Sequence, residues 1–490
     1  MENKKYIKLV ATNGILGNDD IKYFKLIESK IEPGNENLDF FLNYNNPELK
    51  KKILEKYNYF KIENSNYIIG DLEKKGSKSA NGFNSLIKLK NNKDDKYFDI
   101  ILKVSNNKKA DNNYYEFYAG NCVNVLKQFM PNFVYTFKHL YLEKNLVDDI
   151  KKNYENKDNY ENKDSFINML EYTRIEKSLV NINEIEKIEQ GCINNDRSGI
   201  FIDWVFNAKS LAEILEQREF TTKTNYNLFC ILFQIYACLS TLKDNFTHYD
   251  LHLKNILFLN LEKPIEIIYN DSGKIYKLYT KYIPIIIDYG RSYINCTNLP
   301  INRDAENIDS NNFIEKACKI KECNSTYDYL NNNCDLKDIG ISVWKNKGKY
   351  LKNINTFIDS RVVNKSHDLR YLFLLLFSDF SGRCDILKKN EFLGILAFMC
   401  FSNDDWYKEW KKTKGFGVEE KENKNTENNN PKEIRTTVDF FQLLKDFYDL
   451  KIDPNMEIFN FTEKNNKETN IFGTINIYTD LKTKWNFIKK

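Results

Sequence analysis

The sequence predicts an α+β protein of two lobes, a strand-rich lobe followed by a helical one. From residue 66 to 105, Gly and Asn clusters separate the short apolar alternations NYIIGDL, NGFNSLIKLK and FDIILKVS, a pattern typical of antiparallel strands. Later in the chain the long apolar run NYNLFCILFQIYACLSTLKDN predicts a helix that is buried on most sides. Strands first and helices afterwards favour an α+β architecture.

The composition excludes several classes of protein. Hydrophobic residues make up 42% of the 490 positions and aromatic residues 14%, which is too apolar for a disordered chain. Lys and Arg total 73 against 69 Asp and Glu, so the formal charge of +4 gives no nucleic-acid footprint. The apolar runs are shorter than the roughly 20 residues that cross a bilayer. We expect neither a nucleic-acid partner nor a membrane span.

The cysteines and the first residues indicate a reducing, intracellular and cytoplasmic setting. Ten Cys form no regular framework, and the start MENKKYIKLV has no apolar signal core. A group of four invites a zinc interpretation: Cys296, Cys318, Cys323 and Cys334. The C-x4-C spacing lacks the second close pair of a structural zinc site, so buried thiols are favoured.

Composition shifts divide the chain into five segments. Tandem NYENKD hexamers at Asn153 and Asn159 mark a low-complexity insertion. A later run rich in Lys, Glu and Asn is typical of a linker. The predicted segments are a helical N-terminal extension (1–65), the strand-rich lobe (66–206) with an inserted loop (144–198), the helical lobe (207–417), the linker (418–435) and a C-terminal helical segment (436–490).

The strand-rich lobe contains a candidate ion pair. Lys103 lies in the alternating strand DIILKVS. Glu116 lies in a predicted helix over residues 112–130, which Pro131 ends. A lysine that contacts phosphates is commonly oriented by a carboxylate on a neighbouring helix. The strand-like FVYTFKHLYL follows this helix.

The strongest motif is THYDLHLKNILF, which follows the long apolar helix. His248, Asp250 and Asn255 match the spacing H-x-D-x-x-x-x-N. Phosphate transfer needs a carboxylate to orient the acceptor hydroxyl and take its proton, and an amide oxygen five residues later can reach a metal ion. These requirements predict Asp250 as the base and Asn255 as a metal ligand.

A second carboxylate follows at the end of another apolar strand. In IPIIIDYG, Asp288 directly precedes Tyr289 and Gly290. A carboxylate there lets a divalent cation bridge the phosphates of a nucleotide, because magnesium prefers hard oxygen ligands. Between the two motifs, IEIIYNDSGKIYKLY predicts a hairpin that turns at Asn270 to Gly273.

With these motifs the chain resembles the protein-kinase superfamily over about residues 66 to 410, especially the divergent serine/threonine-kinase-like proteins of large DNA viruses. The resemblance implies ATP and Mg²⁺ as cofactors, a protein substrate, and a place in the host-cell cytoplasm or the virion. It also implies that Lys103 contacts the α and β phosphates while Glu116 pairs with Lys103. Asp250 is then the base, and Asn255 and Asp288 bind magnesium.

The same resemblance extends to supporting residues. Asp368, in SHDLRYL, resembles the buried Asp that anchors the catalytic loop, and His248 has a structural role beneath that loop. Gly290 takes the glycine position after the metal-binding Asp. In IFIDWVFNA, the residues around Asp203 to Val205 resemble the hinge on which adenine lies.

Departures from the family pattern leave the acceptor open. KGSKSANGFNS retains Gly76 and Gly82 as candidate phosphate-loop glycines without the full G-x-G-x-x-G pattern. His252 replaces the Lys usual in serine/threonine kinases. Lys254, which lies where tyrosine kinases have a basic residue, is the candidate catalytic residue that compensates for it. We expect a protein serine/threonine kinase, with a kinase of small molecules such as aminoglycosides or choline and a nucleotide-binding pseudokinase as the alternatives.

Overall fold

The computed structural model describes twelve stretches of the chain. They are residues 67–75, 82–90, 97–105, 112–142, 165–170, 198–209, 222–295, 341–345, 355–359, 363–372, 434–449 and 471–489. Within these stretches, residues 128, 168, 206–207, 366, 370 and 435 are left out. The single positions 211, 214, 375, 392, 393 and 396 are described in addition. The four cysteines considered for zinc, Gly76 and most of the inserted loop lie outside these residues. The described part contains both helices and sheets, in agreement with the predicted α+β class.

Seven strands form the first sheet, in the spatial order β5-β1-β2-β3-β7-β4-β6, and all neighbours pair antiparallel. The strands are β1 (Tyr67–Lys75), β2 (Gly82–Lys90), β3 (Tyr97–Ser105), β4 (Thr136–Leu142), β5 (Ser165–Ile167), β6 (Met169–Leu170) and β7 (Ser198–Ile202). Helix α1 (Asn112–Leu126) connects β3 to β4 and packs on this sheet. The connection brings β3 and α1, the elements that carry Lys103 and Glu116, against each other.

A second sheet is built on a long hairpin. Its strands are β8 (Ala208–Lys209), β10 (Ile256–Asp271), β11 (Lys274–Ile286), β15 (Gly473–Tyr478) and β16 (Asn486–Lys489). The order is β11-β10-β15-β16, with β8 also on β10, and only the β10–β15 pairing is parallel. Ser272 and Gly273 both have positive φ, 49° and 85°, as a two-residue hairpin turn requires. The hairpin predicted around this turn is therefore present.

Helix α2 (Thr222–Thr241) passes through the centre of the hydrophobic core. It packs against β11 and against helix α3 (Thr437–Tyr448). Its residues from Leu228 to Leu239 are nearly inaccessible to solvent, as its composition predicts. The buried amide of Gln234 is satisfied because its nitrogen donates to the carbonyl of Tyr282, at 2.9 Å.

Short strands frame the predicted catalytic loop, residues 248–255. Strand β9 (Phe246–Thr247) precedes the loop and pairs with β12 (Tyr293–Ile294), which follows Gly290 and Arg291. A separate hairpin consists of β13 (Ile341–Lys345) and β14 (Asn355–Asp359). Asp368 lies in a 3-10 turn, His367–Leu369. None of the helices in the described stretches has the length and hydropathy of a membrane span.

The C-terminal segment differs from its prediction as a wholly helical region. Only α3 is helical among its described residues, and β15 and β16 form a hairpin beyond it. Strand β15 alternates the polar Thr474 and Asn476 with the apolar Ile475 and Ile477, but this alternation spans only a few residues. The parallel partner of β15 lies about two hundred residues earlier, which no local pattern can reveal.

Candidate active site

Three charged side chains from three elements meet in one ion-pair network. The ammonium of Lys103, on β3, lies 2.5 Å from Oε2 of Glu116 on α1. It also lies 2.8 Å from Oδ1 of Asp288, just beyond β11. Lys103 and Glu116 are buried, whereas 37% of the Asp288 side chain is exposed. The network therefore opens to solvent on the side of Asp288.

The flanking sequence explains why Lys103 and Glu116 meet. Leu102 and Val104 are fully buried, so β3 is a central strand from which Lys103 extends beneath α1. At the start of α1, the side-chain amide of Asn113 donates to the carbonyl of Lys103, at 3.3 Å. This bond joins the helix directly to the strand residue that it faces.

Close packing fixes the middle of α1. A Cβ atom at Gly120 would lie 2.6 Å from Cβ of Thr136, so glycine is required for this approach to β4. Asn124 holds both backbone groups of Thr136, accepting from its N–H at 3.0 Å and donating to its carbonyl at 2.6 Å. The helix that carries Glu116 is thus held on the sheet over several turns.

The charges in the network shift one another's pKa values. Burial alone would lower the pKa of Lys103, but the charges of Asp288 and Glu116 outweigh it and raise that pKa above its ordinary value. Burial would raise the pKa of Asp288, yet Lys103, with smaller contributions from His248 and Arg291, lowers it to about 2. At neutral pH Lys103 is a cation and Asp288 an anion.

Glu116 shifts in the opposite direction from Asp288. Burial raises the pKa of Glu116 to about 7, and the negative charge of Asp288 adds to the rise while Lys103 opposes it. One ammonium therefore serves two carboxylates. When both carboxylates are ionised, the network has one net negative charge, which favours the approach of a cation on the exposed side.

Asp368 anchors the predicted catalytic loop. This buried carboxylate accepts the backbone N–H of His248 at 2.7 Å and that of Tyr249 at 3.1 Å. Tyr249 has φ of 62°, a left-handed conformation that is uncommon for a non-glycine residue. The two hydrogen bonds stabilise this turn, which immediately precedes Asp250.

Hydrogen bonds also join the predicted catalytic loop to the segment that contains Asp288. Nε2 of the buried His248 lies 2.9 Å from the carbonyl of Ile287. The backbone carbonyl of Asn255 accepts the N–H of Ile287 at 3.0 Å. The side-chain nitrogen of Asn255 donates to the carbonyl of Asp250 at 2.9 Å. Since β10 begins directly after Asn255 and pairs with the end of β11, Asn255 and Asp288 lie at the same end of this hairpin.

Asp288 occupies a strained position that its neighbours stabilise. It has φ of 69°, again in the left-handed region. The following Tyr289 is buried, and its hydroxyl lies 2.7 Å from the carbonyl of Ile286 and 3.1 Å from that of Val134. Gly290, also buried, follows. A phenylalanine at position 289 could pack here but could not make these polar contacts.

The other predicted residues are more dispersed. Asp203 and Val205 lie directly beyond β7, where the N–H of Asp203 donates to the carbonyl of Tyr135 at 2.8 Å. Gly82 is the first residue of β2 and pairs with Ser105. Lys254 is exposed on the catalytic loop. Strand pairing brings Gly82 and the Asp203 segment alongside β3, but neither belongs to the ion-pair network.

Two residues of the site were not identified from the sequence. The Arg291 guanidinium lies 3.9 Å from Oδ2 of Asp250, and both side chains are largely buried. The hydroxyl of Tyr115, beside Glu116 on α1, donates to the carbonyl of Ser292. Arg291 could have been suspected from its place after Gly290. Nothing in the sequence distinguishes Tyr115 from the neighbouring Tyr114 and Tyr118.

Similarity to known proteins is limited. No family model matches the sequence. A stretch of 70 residues is 40% identical to the uncharacterized protein 179R of Invertebrate iridescent virus 6, and it spans 14% of this chain and 6% of that protein. A crystal structure of a kinase domain has 17% identity and a TM-score of 0.24, over 48% of this chain and 53% of the other. Similarity at this level does not establish a shared fold.

Proposed function

We propose that this chain is an ATP-dependent phosphotransferase of the protein-kinase type, in which a strand-rich and a helical lobe enclose ATP. The main support is the contact of Lys103 with both Glu116 and Asp288, beside a loop that contains Asp250 and Asn255. Phosphate transfer depends on positioning and charge neutralisation, and this arrangement provides groups for both. The proposed acceptor is a Ser or Thr hydroxyl of a protein.

The residues at this end of the hairpin fit a magnesium ion. Asp288 stays ionised and partly exposed, so its oxygens can reach a hard cation. Asn255 uses its side-chain nitrogen to hold the loop, and its side-chain oxygen is the second proposed ligand. When bound with ATP, Mg²⁺ would neutralise the negative charge that develops on the phosphate oxygens during transfer.

The remaining residues have distinct roles in this proposal. Asp250 orients the acceptor hydroxyl and takes its proton as the new O–P bond forms, while the bond from the γ-phosphorus to the bridging oxygen breaks and ADP leaves. Lys103 holds the α and β phosphates while Glu116 keeps its ammonium in place. The exposed Lys254 lies on the same loop as Asp250 and adds positive charge near the transferred phosphate.

The nucleotide is proposed to bind along β3 and the strands beside it. Adenine would lie against the segment of Asp203 and Val205, which directly follows β7. Gly82, at the start of β2, would allow the backbone to approach the phosphates, together with Gly76. His248, Gly290 and Asp368 would shape the loops without contacting the substrate.

A paired assay on the full chain tests this proposal. Transfer of labelled phosphate from ATP with Mg²⁺ would be measured on a general protein acceptor, casein, and on a panel containing choline and aminoglycosides. Thermal unfolding would be followed with and without ATP and Mg²⁺. We expect the wild type to label the protein acceptor and Asp250→Asn to reduce the rate of phosphate transfer at least 100-fold. ATP with Mg²⁺ should raise the Tm of both the wild type and the variant.

Other outcomes would identify the alternatives. Labelling of small molecules without labelling of protein would refute the protein acceptor and indicate a small-molecule kinase. A rise in Tm without any transfer would indicate a nucleotide-binding pseudokinase. Transfer that survives Asp250→Asn would refute the assignment of the base.

A further inference from the structure

The C-terminal hairpin of β15 and β16 is joined to the sheet that leads into the active site. Strand β15 pairs with β10 from Glu266 to Asn270, and backbone bonds at both ends extend the connection. The buried Glu266 carboxylate accepts the hydroxyl of Thr474 at 3.0 Å and that of Tyr279 at 2.7 Å. One carboxylate thereby links β10, β11 and β15. The hairpin is a fixed part of the sheet whose strands meet Asn255 and Asp288.

The same hairpin also reaches helix α1. Trp485, in the connection between β15 and β16, is 8% exposed, and its indole N–H donates to the carbonyl of Lys127 at 2.9 Å. Lys127 directly follows α1 and continues its hydrogen-bonding pattern, because the N–H of Lys127 donates to the carbonyl of Val123. Carbonyls at this end of a helix have no partner within the helix. Trp485, which follows more than 350 residues later in the chain, supplies a hydrogen-bond partner for the carbonyl of Lys127.

Helix α1 is therefore held at both ends by elements of the site. Near its start, Tyr115 bonds to Ser292, just beyond the segment that contains Asp288. At its end, Trp485 connects it to the sheet that carries Asn255 and Asp288. Glu116 lies between these two connections and must stay within reach of Lys103.

We propose that the C-terminal hairpin, residues 473–489, is a positioning element that keeps α1, and with it the Glu116–Lys103 pair, in the arrangement that phosphate transfer requires. The proposal rests on the proposed function and gives the C-terminal segment a role in it. Trp485 acts through Lys127 and α1 and is a positioning residue, without contact to the substrate.

Two matched substitutions in the hairpin test this role. Trp485→Phe retains a buried aromatic ring but removes the indole N–H. Ile488→Thr changes a residue of β16 that is 59% exposed, so it should leave the contacts of the hairpin intact. Both variants would be compared with the wild type by amide hydrogen exchange over residues 112–130 and by steady-state kinetics with ATP.

We expect faster exchange across α1 in Trp485→Phe, with exchange in β10 and β11 unchanged. The same variant should lose about fivefold in kcat/KM for ATP, the effect of one hydrogen bond. Ile488→Thr should match the wild type in both measurements. Exchange in α1 that is unchanged by Trp485→Phe would overturn the proposal, whether or not the wild type transfers phosphate.

The kinetic measurement separates positioning from a purely structural contact. Faster exchange in Trp485→Phe with unaltered kinetics, beside an active wild type, would also overturn the proposed role. A wild type that transfers no phosphate would refute the proposed function, while the exchange data would still decide whether the hairpin holds α1.

Discussion

Asp288 contacts Lys103 at 2.8 Å, although 185 positions separate them in the chain. Lys103 belongs to the seven-stranded sheet, and Asp288 follows the hairpin of the second sheet. The ion pair therefore joins the two sheets at the candidate active site. A parallel bridge between Phe133 and Ile286 reinforces this junction two residues before Asp288.

Substitution of Asp368 should loosen the predicted catalytic loop. Asp368→Asn replaces one of the two carboxylate oxygens that accept the N–H groups of His248 and Tyr249 with a donor. Because a buried N–H then loses its partner beside a strained turn, we expect the free energy of unfolding to fall by about 1–3 kcal/mol. Urea denaturation would measure the change.

Asp244→Asn provides the matched control. Asp244 pairs with Lys365 on the surface, where 58% of the Asp244 side chain is exposed. Loss of such a pair should change stability by less than about 1 kcal/mol. Equal effects of the two substitutions would contradict an anchoring role for Asp368.

Glu116 should make stability depend on pH. Its pKa is raised from 4.5 to about 7, so between these values the folded chain binds more protons than the unfolded chain. The free energy of unfolding contributed by Glu116 should then fall as the pH rises from 5 to 7, by about 1–3 kcal/mol, and level off above. Urea denaturation at a series of pH values would show this.

The Glu116→Gln variant isolates that contribution. It removes the titrating carboxyl. The difference in the free energy of unfolding between the wild type and the variant should therefore fall as the pH rises from 5 to 7. The lowered pKa of Asp288 acts elsewhere: its contribution is complete above pH 4 and is lost only as the pH falls toward 2. A pH-independent difference between 5 and 7 would show that Glu116 does not titrate there.

Gly120→Ala should displace α1 from the sheet. The added methyl group would lie 2.6 Å from Cβ of Thr136, closer than unbonded carbon atoms can approach. We expect a loss of about 1–3 kcal/mol in the free energy of unfolding, together with weaker ATP binding. In the Gly120→Ala background, Thr136→Gly removes the atoms that the methyl meets and should restore binding in part. Wild-type stability and binding in Gly120→Ala would refute this close approach.

Arg291 should contribute to transfer more than to nucleotide binding. Its guanidinium lies beside Asp250, where the acceptor and the transferred phosphate would meet. In Arg291→Gln we expect kcat to fall about tenfold with a smaller change in KM for ATP. Arg291→Lys, which retains the charge, should recover part of the loss. An unchanged kcat in Arg291→Gln would exclude this contribution.

Several features of the site could be anticipated from local patterns. The alternation around Lys103 and the apolar helix before Pro131 placed Lys103 on a strand and Glu116 on a helix, as observed. The hairpin that separates Asn255 from Asp288 was visible from two strand-like runs around a turn. These features depend on residues close together in the sequence, for which periodicity is informative.

Contacts between distant segments could not be anticipated in the same way. The bond from Trp485 to Lys127 and the pairing of β15 with β10 depend on how separate segments meet. Strand β15 has six residues and β16 four, and the prediction of a wholly helical segment missed the short alternation of Ile475 and Ile477 in β15. Arg291 and Tyr115 likewise acquire their interest only from their spatial neighbours.

The most direct test of the central claim is a double-mutant cycle on the affinity for ATP with Mg²⁺, measured by calorimetry. If Lys103 and Asp288 serve one nucleotide, Lys103→Met and Asp288→Asn should each weaken binding at least about tenfold, and the double variant should lose less than the sum. Absence of binding by the wild type, or undiminished affinity in both single variants, would contradict a shared nucleotide site.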